Sequence, residues 1–154
     1  MRTFQLYING RFEDGPQSFA SLNPATAAPW ATMPDATPEV VDRAVRAAHD
    51  AFTSKAWRGL TASQRGKLLH RLADCLAERT AAIAEIETLD TGKVIHETAS
   101  QIAYIVEYLR YFGGLADKHG GQHLPIDKPD MEVWLRREPI GVVAAIIPWN
   151  SQLF

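Results

Sequence analysis

Few residues in this 154-residue sequence are of a type that does covalent chemistry, and Cys75 is its single cysteine. Cys75 lies between Leu72 and Leu76 in a helical pattern of apolar residues. No histidine or cationic residue stands at a spacing that would activate its thiol. Because free cysteine commonly packs as a small buried hydrophobe, we predict that Cys75 is a packing residue on the apolar side of a helix and is not catalytic.

Two further patterns approach a ligand site without completing one. Thr91-Gly92-Lys93 lacks the upstream glycine and the preceding strand of a phosphate-binding loop, so a helix end followed by a basic residue explains it better. Among the five histidines, only His119 and His123 are spaced like metal ligands, and no Cys, Asp or Glu completes their set. The sequence therefore predicts no metal site from spacing.

Asn150 follows an apolar run, residues 142–147, that has no polar face and is bounded by Gly141 and Pro148. Such a run, with β-branched residues at both ends, is typical of a strand covered on both sides in a parallel sheet. A residue just past the carboxyl end of such a strand stands where α/β sheets place their ligands. Asparagine is also common in turns, and from the residues alone the turn role is the simpler explanation.

The elements that precede this run follow from periodicity and from end signals. Alternating apolar residues around Asn9-Gly10 predict a β-hairpin. Apolar stripes at helical spacing, with a hydroxyl cap and proline at the first start and glycine at the second end, predict three helices. The first helix begins at Thr37-Pro38-Glu39, the second runs from Thr61 to Gly92, and the third runs from Ile95 to Lys118. Alternation over residues 131–136 predicts a half-buried strand, in a small antiparallel ribbon.

The predicted inner strand lies close to the end of the sequence, since six residues remain from Trp149 to Phe154. A parallel strand needs a crossover connection and a partner strand, and neither fits into six residues. A lone apolar strand would also expose two faces and two edges. The pattern thus indicates a truncated chain, or one completed by another polypeptide.

Composition narrows the class of protein. Hydrophobic residues make up 46% and charged residues 22% of the chain, with a net charge of −2. These values are typical of globular domains and argue against nucleic acid or an anionic membrane surface as a partner. The longest apolar run is too short to span a bilayer, and a single cysteine suits a reducing compartment. We expect a soluble cytoplasmic protein.

Several stretches together resemble the N-terminal portion of the NAD(P)-dependent aldehyde dehydrogenase family. The resemblance covers nearly the whole chain and is most specific at the run that ends in Pro148-Trp149-Asn150. The matching stretches are Leu6-Tyr7-Ile8-Asn9-Gly10, Asn23-Pro24-Ala25-Thr26, Trp57 with Arg65 and Leu72-Ala73-Asp74, Glu87-Thr88-Leu89-Asp90-Thr91-Gly92-Lys93, and Arg137-Glu138-Pro139-Ile140-Gly141-Val142-Val143 followed by Ile146-Ile147-Pro148-Trp149-Asn150.

The resemblance implies an α/β fold: a hairpin, three helices and the first strand of a Rossmann-like parallel sheet, truncated there. Residues 1–154 would form the N-terminal part of a cofactor-binding domain, with 131–138 in an oligomerisation ribbon and the catalytic domain absent. The implied reaction oxidises a small-molecule aldehyde to a carboxylic acid with NAD+ or NADP+, through a cysteine thiolate and a glutamate base. Neither of those residues, nor the phosphate-binding glycine turn, has a counterpart in this sequence.

The resemblance also assigns site residues. Asn150 matches the asparagine whose amide, with the cysteine's backbone N–H, holds the developing oxyanion; one such donor contributes about 3 kcal/mol in the transition state. The residues before it would line the cofactor cleft: Ile146, Ile147, Pro148 and Trp149. Some family members bind a monovalent cation at positions that match Ser21, Leu22 and Asp90. The complete enzyme is expected to be a homo-oligomer.

Two alternatives remain open from the sequence. The chain is a truncated remnant of the family without turnover, or it is a non-enzymatic interaction module whose last strand pairs with a partner. The sequence identifies neither the aldehyde nor the choice between NAD+ and NADP+, because the segments that decide them have no counterpart here.

Overall fold

The computed structural model describes residues 1–150 and 152–153 of the chain, and its elements are of mixed α and β type. The strands are β1 (Arg2–Thr3), β2 (Leu6–Ile8), β3 (Arg11–Glu13), β4 (Gln17–Leu22), β5 (Pro29–Asp35), β6 (Gln122–Leu124) and β7 (Val133–Leu135). The helices are α1 (Pro38–Thr53), α2 (Lys55–Arg58), α3 (Ala62–Ala77), α4 (Thr80–Thr91) and α5 (Ile95–Leu115).

The β structure near the start of the chain has two parts. β2 and β3 form the predicted hairpin, and both residues of its Asn9-Gly10 turn have positive φ, 51° and 77°, as this turn type requires. The second part is a three-stranded sheet in the order β1-β5-β4, with β5 parallel to β1 and antiparallel to β4. This sheet was not predicted, because Pro29 and Pro34 within β5 are residues that normally argue against a strand.

The helix starts follow the sequence signals. α1 has Thr37 at its N-cap and Pro38 in its first turn, although the Thr37 hydroxyl makes no capping hydrogen bond. α3 begins with a full capping box, in which the side chains of Thr61 and Gln64 each accept a backbone N–H from the other residue.

The prediction of one helix from Thr61 to Gly92 is wrong, since the structure has two. Arg79 leaves helical geometry (φ −116°, ψ 9°) between α3 and α4. The Thr80 hydroxyl donates to the carbonyl oxygens of Leu76 and Ala77, which is the local side-chain competition that favours helix ends. The short helix α2 was also missed; the Ser54 side chain caps it by accepting from the backbone N–H of Trp57.

The core lies where α5 packs against α3 and α4. Its fully or nearly buried members are small or branched: Ala73, Ala84, Ile102, Ile105 and Val106. The helices α3 and α5 approach closely at Gly66 and Gly113, where neither residue carries a side chain to separate the backbones. Cys75 is exposed on α3, so the prediction that it packs on the apolar side of a helix is wrong.

The end of the described chain differs from the sequence prediction. The strand over residues 131–136 is confirmed as β7, which pairs antiparallel with β6 in a two-stranded ribbon. The inner strand predicted over residues 142–147 is not formed; residues 136–148 have no assigned strand or helix. The physical reason is the one that parallel pairing imposes: no neighbouring strand lies beside this run among the described residues to accept its backbone hydrogen bonds.

None of the helices in residues 1–150 and 152–153 combines the length and the apolar character that a membrane crossing demands.

Candidate active site

The predicted cofactor residues and Asn150 lie outside any helix or strand and are exposed to solvent. Ile146 is 97% exposed and Trp149 is 75% exposed, and Ile147 and Pro148 are also exposed. Trp149 and Asn150 lie in a turn, and Asn150 is exposed. The four predicted cofactor residues are therefore contiguous and on the surface of this chain, and the Asn150 carboxamide follows them directly.

The beginning of the same segment is held against the helical body. Gly141, Val142 and Val143 line an apolar groove of about 530 Å³ together with Phe52 and Trp57 of the α1–α2 region. Gly141 adopts φ 109°, a conformation that L side chains rarely adopt, and an added methyl group would meet the Phe52 ring at 3.9 Å. The backbone conformation of Gly141 thus sets the direction of the apolar run where it passes α1.

A second group of polar side chains lies beside the end of the described chain, around the Asp90 carboxylate at the end of α4. The Ser21 hydroxyl donates to Asp90 Oδ1 at 2.6 Å, and the Trp30 indole N–H donates to the same oxygen at 3.3 Å. The Gln152 amide lies 3.5 Å from the other oxygen, Oδ2. We call these four residues the Asp90 cluster.

The Asp90 cluster borders a cavity of about 240 Å³ that is otherwise mostly apolar. Phe4, Met33, Ile83 and Ile86 contribute the apolar wall, and Leu153 closes one side. The cavity therefore lies between the three-stranded sheet, α4, and Gln152 with Leu153.

A buried ion pair fixes the turn between α4 and α5. Glu87 is 6% exposed, and its carboxylate lies 3.4 Å from Lys93 Nζ, which also donates to Gln101 Oε1 at 2.9 Å. α4 ends at Gly92 in the left-handed conformation, as the sequence predicts. Lys93 is thus engaged with α4 and α5, which agrees with its interpretation as a helix-end residue rather than part of a phosphate loop.

The structure brings together some of the predicted site residues and leaves others apart. Ser21 and Asp90 lie 69 positions apart in the sequence, and the family resemblance assigns both to a cation site. In the structure they are hydrogen bonded to each other. Cys75 takes no part in the site, and its side chain is exposed on α3. In residues 1–150 and 152–153, His, Cys, Asp and Glu side chains do not gather in threes in a way that would hold a metal ion.

Sequence reasoning missed Trp30 and Gln152 as members of the Asp90 cluster. The indole N–H of a partly buried tryptophan needs an acceptor, and for Trp30 that requirement is the signal that could have indicated a polar neighbour. Gln152 follows Asn150 by two positions and carried no signal of its own.

Comparison with known proteins gives the family. The aldehyde dehydrogenase family model matches residues 12–154. The chain is 62% identical over its whole length to (Z)-2-((N-methylformamido)methylene)-5-hydroxybutyrolactone dehydrogenase of Acinetobacter baylyi, of which it covers 32%. It is 39% identical to human mitochondrial aldehyde dehydrogenase, over 97% of this chain and 29% of that protein.

Solved structures agree with the sequence comparison. An aldehyde dehydrogenase from Bacillus cereus superposes with a TM-score of 0.92 and 37% identity over 99% of this chain and 31% of that one. A double mutant of betaine aldehyde dehydrogenase from Staphylococcus aureus, solved with NAD+, gives 0.88 and 38% over 97% of this chain and 30% of that one. The chain spans about a third of the length of the relatives it matches and corresponds to their N-terminal portion. It belongs to the aldehyde dehydrogenase family.

Proposed function

We propose that this chain is the N-terminal part of an enzyme that oxidises an aldehyde to a carboxylic acid with NAD+ or NADP+. The observation that carries the proposal is the family match over residues 12–154, which includes the apolar run and Asn150. Because the chain covers only about a third of its relatives, the activity is proposed for the gene product that carries this chain, at whatever length it is encoded. Residues 1–154 are its part of the cofactor-binding domain.

Asn150 is the catalytic residue of this proposal. A nucleophile that attacks the aldehyde carbonyl turns its oxygen into an oxyanion, and a neutral carboxamide N–H stabilises that charge without giving up a proton. When an apolar run of this kind forms a strand of a parallel sheet, the residue just past it stands where α/β folds bind ligands. Cys75 is not proposed as the nucleophile, because its side chain is exposed on α3, outside the segment that carries Asn150.

Ile146, Ile147, Pro148 and Trp149 are proposed to line the cofactor cleft. Their exposed apolar surfaces suit a flat aromatic ring that packs against them, with main-chain groups nearby to hydrogen bond to it. When bound, NAD(P)+ supplies the hydride acceptor. The complex of the Staphylococcus aureus relative is with NAD+, and this favours NAD+ as the first cofactor to assay.

The name of the 62%-identical relative suggests a substrate class. A 5-hydroxybutyrolactone is a cyclic form that opens to an aldehyde and a carboxylate, so an enzyme for it acts on an aldehyde that carries an acid group. We propose that this protein takes an aldehyde of the same type. An assay panel should therefore pair hydroxylactones and semialdehydes with neutral aldehydes of similar size.

A monovalent cation near Ser21, Leu22 and Asp90 is a further part of the proposal. The 2.6 Å contact between Ser21 and Asp90 supports it, since it brings the two positions to one place. A melting temperature that rises with K+ but not with a bulky cation such as tetramethylammonium, at equal ionic strength, is the expected result. Equal melting temperatures in both salts would count against it.

The segment 131–138, which includes β7 of the two-stranded ribbon, is proposed to support a homo-oligomer. Trp134 and Leu135 are exposed on β7, and a partner that covered them would bury their apolar surface. Light scattering after size exclusion should give a dimer or tetramer, and Trp134→Ser should shift the population towards smaller species.

A cytoplasmic location is also part of the proposal. Fractionation of cells that express the gene product tests it.

The experiment for the central proposal follows NADH and NADPH absorbance in the purified gene product with the aldehyde panel. Asn150→Ala should lower kcat by about 10²–10³-fold, the usual effect of removing one oxyanion donor, while Cys75→Ser should leave turnover unchanged. Turnover that survives Asn150→Ala would refute the assigned role. No turnover with any aldehyde would favour the inactive-remnant alternative.

A second candidate function, the interaction module, is favoured by one observation. Ile140 is 90% exposed and Ile146 is 97% exposed, so these two side chains are available to another polypeptide. A module of this kind would bind a partner and show no turnover, which the same absorbance assay distinguishes.

A further inference from the structure

Gln152, two positions after Asn150, contacts the body of the chain. Its amide Nε2 faces Asp90 Oδ2 at 3.5 Å, and Asp90 lies at the end of α4. The contact matters because the preceding residues, 136–148, form no strand or helix that would hold the Asn150 turn in place.

Asp90 is itself well fixed, which makes it a suitable anchor. Its Oδ1 oxygen accepts from Ser21 of β4 and from Trp30 of β5, at 2.6 and 3.3 Å. The Trp30 indole also donates to the Ser21 hydroxyl at 3.1 Å. One carboxylate oxygen thus joins two strands to α4, and the other is turned towards Gln152.

The two ends of the Gln152 amide are not equivalent in this contact. An ionised carboxylate only accepts hydrogen bonds, so Asp90 can hold Gln152 by its NH2 group and would repel its oxygen. Gln152 Oε1 is buried and has no hydrogen-bond partner among the described residues. The opposite orientation would direct Oε1 at the carboxylate, so the contact with Asp90 requires the amide to present its NH2 group.

We infer that Gln152 is a positioning residue, which holds the turn that carries Asn150 by donating its amide N–H to the anchored Asp90 carboxylate. The inference rests on the proposed oxyanion role of Asn150. An oxyanion donor acts only when it is fixed close to its target, and a displacement of about 1 Å costs on the order of a hundredfold in rate. Loss of the tether therefore lowers kcat more than it raises KM.

The test reverses the polarity of the pair in the gene product that carries this chain. Gln152→Glu sets two carboxylates against each other and should lower kcat by about tenfold or more, with KM for NAD(P)+ changed less than about twofold to threefold. Adding Asp90→Asn to Gln152→Glu places an amide donor opposite the introduced carboxylate, and the double variant should recover most of the lost kcat. Asp90→Asn alone completes the double-mutant cycle. Gln17→Glu, on the exposed start of β4, controls for the added charge and should leave kcat unchanged.

The outcomes separate this inference from the proposed function. A wild-type protein without aldehyde oxidation would overturn the proposed function and the positioning role together. An active wild type in which Gln152→Glu keeps its kcat would overturn the positioning role alone. A double variant no better than Gln152→Glu, or a loss in kcat that follows the melting temperature across all variants, would also overturn it, because a merely structural role predicts those results.

Discussion

The close approach of α3 and α5 at Gly66 supports a quantitative prediction about Gly66→Ala. A methyl group added at Gly66 would collide with the backbone carbonyl oxygen of Gly113 and meet the Ala116 Cβ at 3.0 Å. The obstacle is main chain in the largest interface of the fold, so it cannot rotate away as a flexible side chain would. Gly66 is also buried within α3.

Two opposing effects decide the sign of the change. Alanine in a helix interior is favoured over glycine by about 0.8–1 kcal/mol, while overpacking a tight core costs about 1–3 kcal/mol. Because the collision at Gly66 is with backbone, we take the upper half of the second range. The free energy of unfolding should fall by about 1–2 kcal/mol, which corresponds to roughly 2–4 °C in Tm for each kcal/mol.

The assay is thermal and urea unfolding followed by circular dichroism, and the chain offers a matched control. Gly114 is adjacent to Gly113 on α5, is exposed, and has no atom within 4 Å of an added methyl group. Gly114→Ala should therefore gain up to about 1 kcal/mol from helix propensity alone. If Gly66→Ala unfolds at or above the wild-type temperature, or if both variants shift in the same direction, the account of the α3–α5 contact is refuted.

Three further predictions concern the helix cap, an ion pair and the cysteine. Thr61→Ala removes the capping box of α3 and should cost about 1 kcal/mol in urea unfolding; an unchanged midpoint would show that the cap is replaced by water. The Arg43 guanidinium hydrogen bonds to Glu13 and lowers the pKa of that carboxyl. The stabilising effect of this pair is therefore present at neutral pH and is lost as the pH falls through the lowered pKa. An NMR titration of Arg43→Ala should show the Glu13 midpoint return towards the ordinary glutamate range, and a midpoint that stays low would exclude Arg43 as the cause. Exposed Cys75 should react with a thiol reagent in the native protein at the rate of an accessible thiol, and protection from the reagent until unfolding would contradict the structure.

The sequence predicted the elements whose signals are local. The Asn9-Gly10 hairpin, the helix start at Thr61 and the Gly92 helix end each depend on a few neighbouring residues, and each is present in the structure. The break at Arg79 was missed because the apolar stripe of the sequence continues through it from Leu76 to Ile83. The strand β5 was missed because it contains two prolines and pairs with β1 at the start of the chain as well as with β4.

The site was predictable only in part, and for a related reason. The apolar run and Asn150 are contiguous, so their pattern is visible in the sequence. The Asp90 cluster joins Ser21, Trp30 and Gln152 across as many as 69 and 62 positions from Asp90, and no periodicity reports such a contact. The pattern of residues 142–147 was that of a buried strand, yet burial depends on what lies beside the run, which the pattern does not contain.

The exposure of that run limits how the two candidate functions can be separated. Full burial of a large apolar side chain is worth about 1.5–3 kcal/mol, and Ile140 and Ile146 are each at least 90% exposed. Any polypeptide that covers them, whether a continuation of the same fold or a separate partner, gains several kcal/mol on the order of that burial. Binding to the run is therefore expected under both functions and decides nothing. Asn150 decides between them, because the role proposed for its carboxamide is in the oxidation and a carboxamide adds little to apolar burial. Asn150→Ala that keeps binding and abolishes turnover supports the enzyme, whereas a wild type that binds a partner and never reduces NAD(P)+ supports the interaction module.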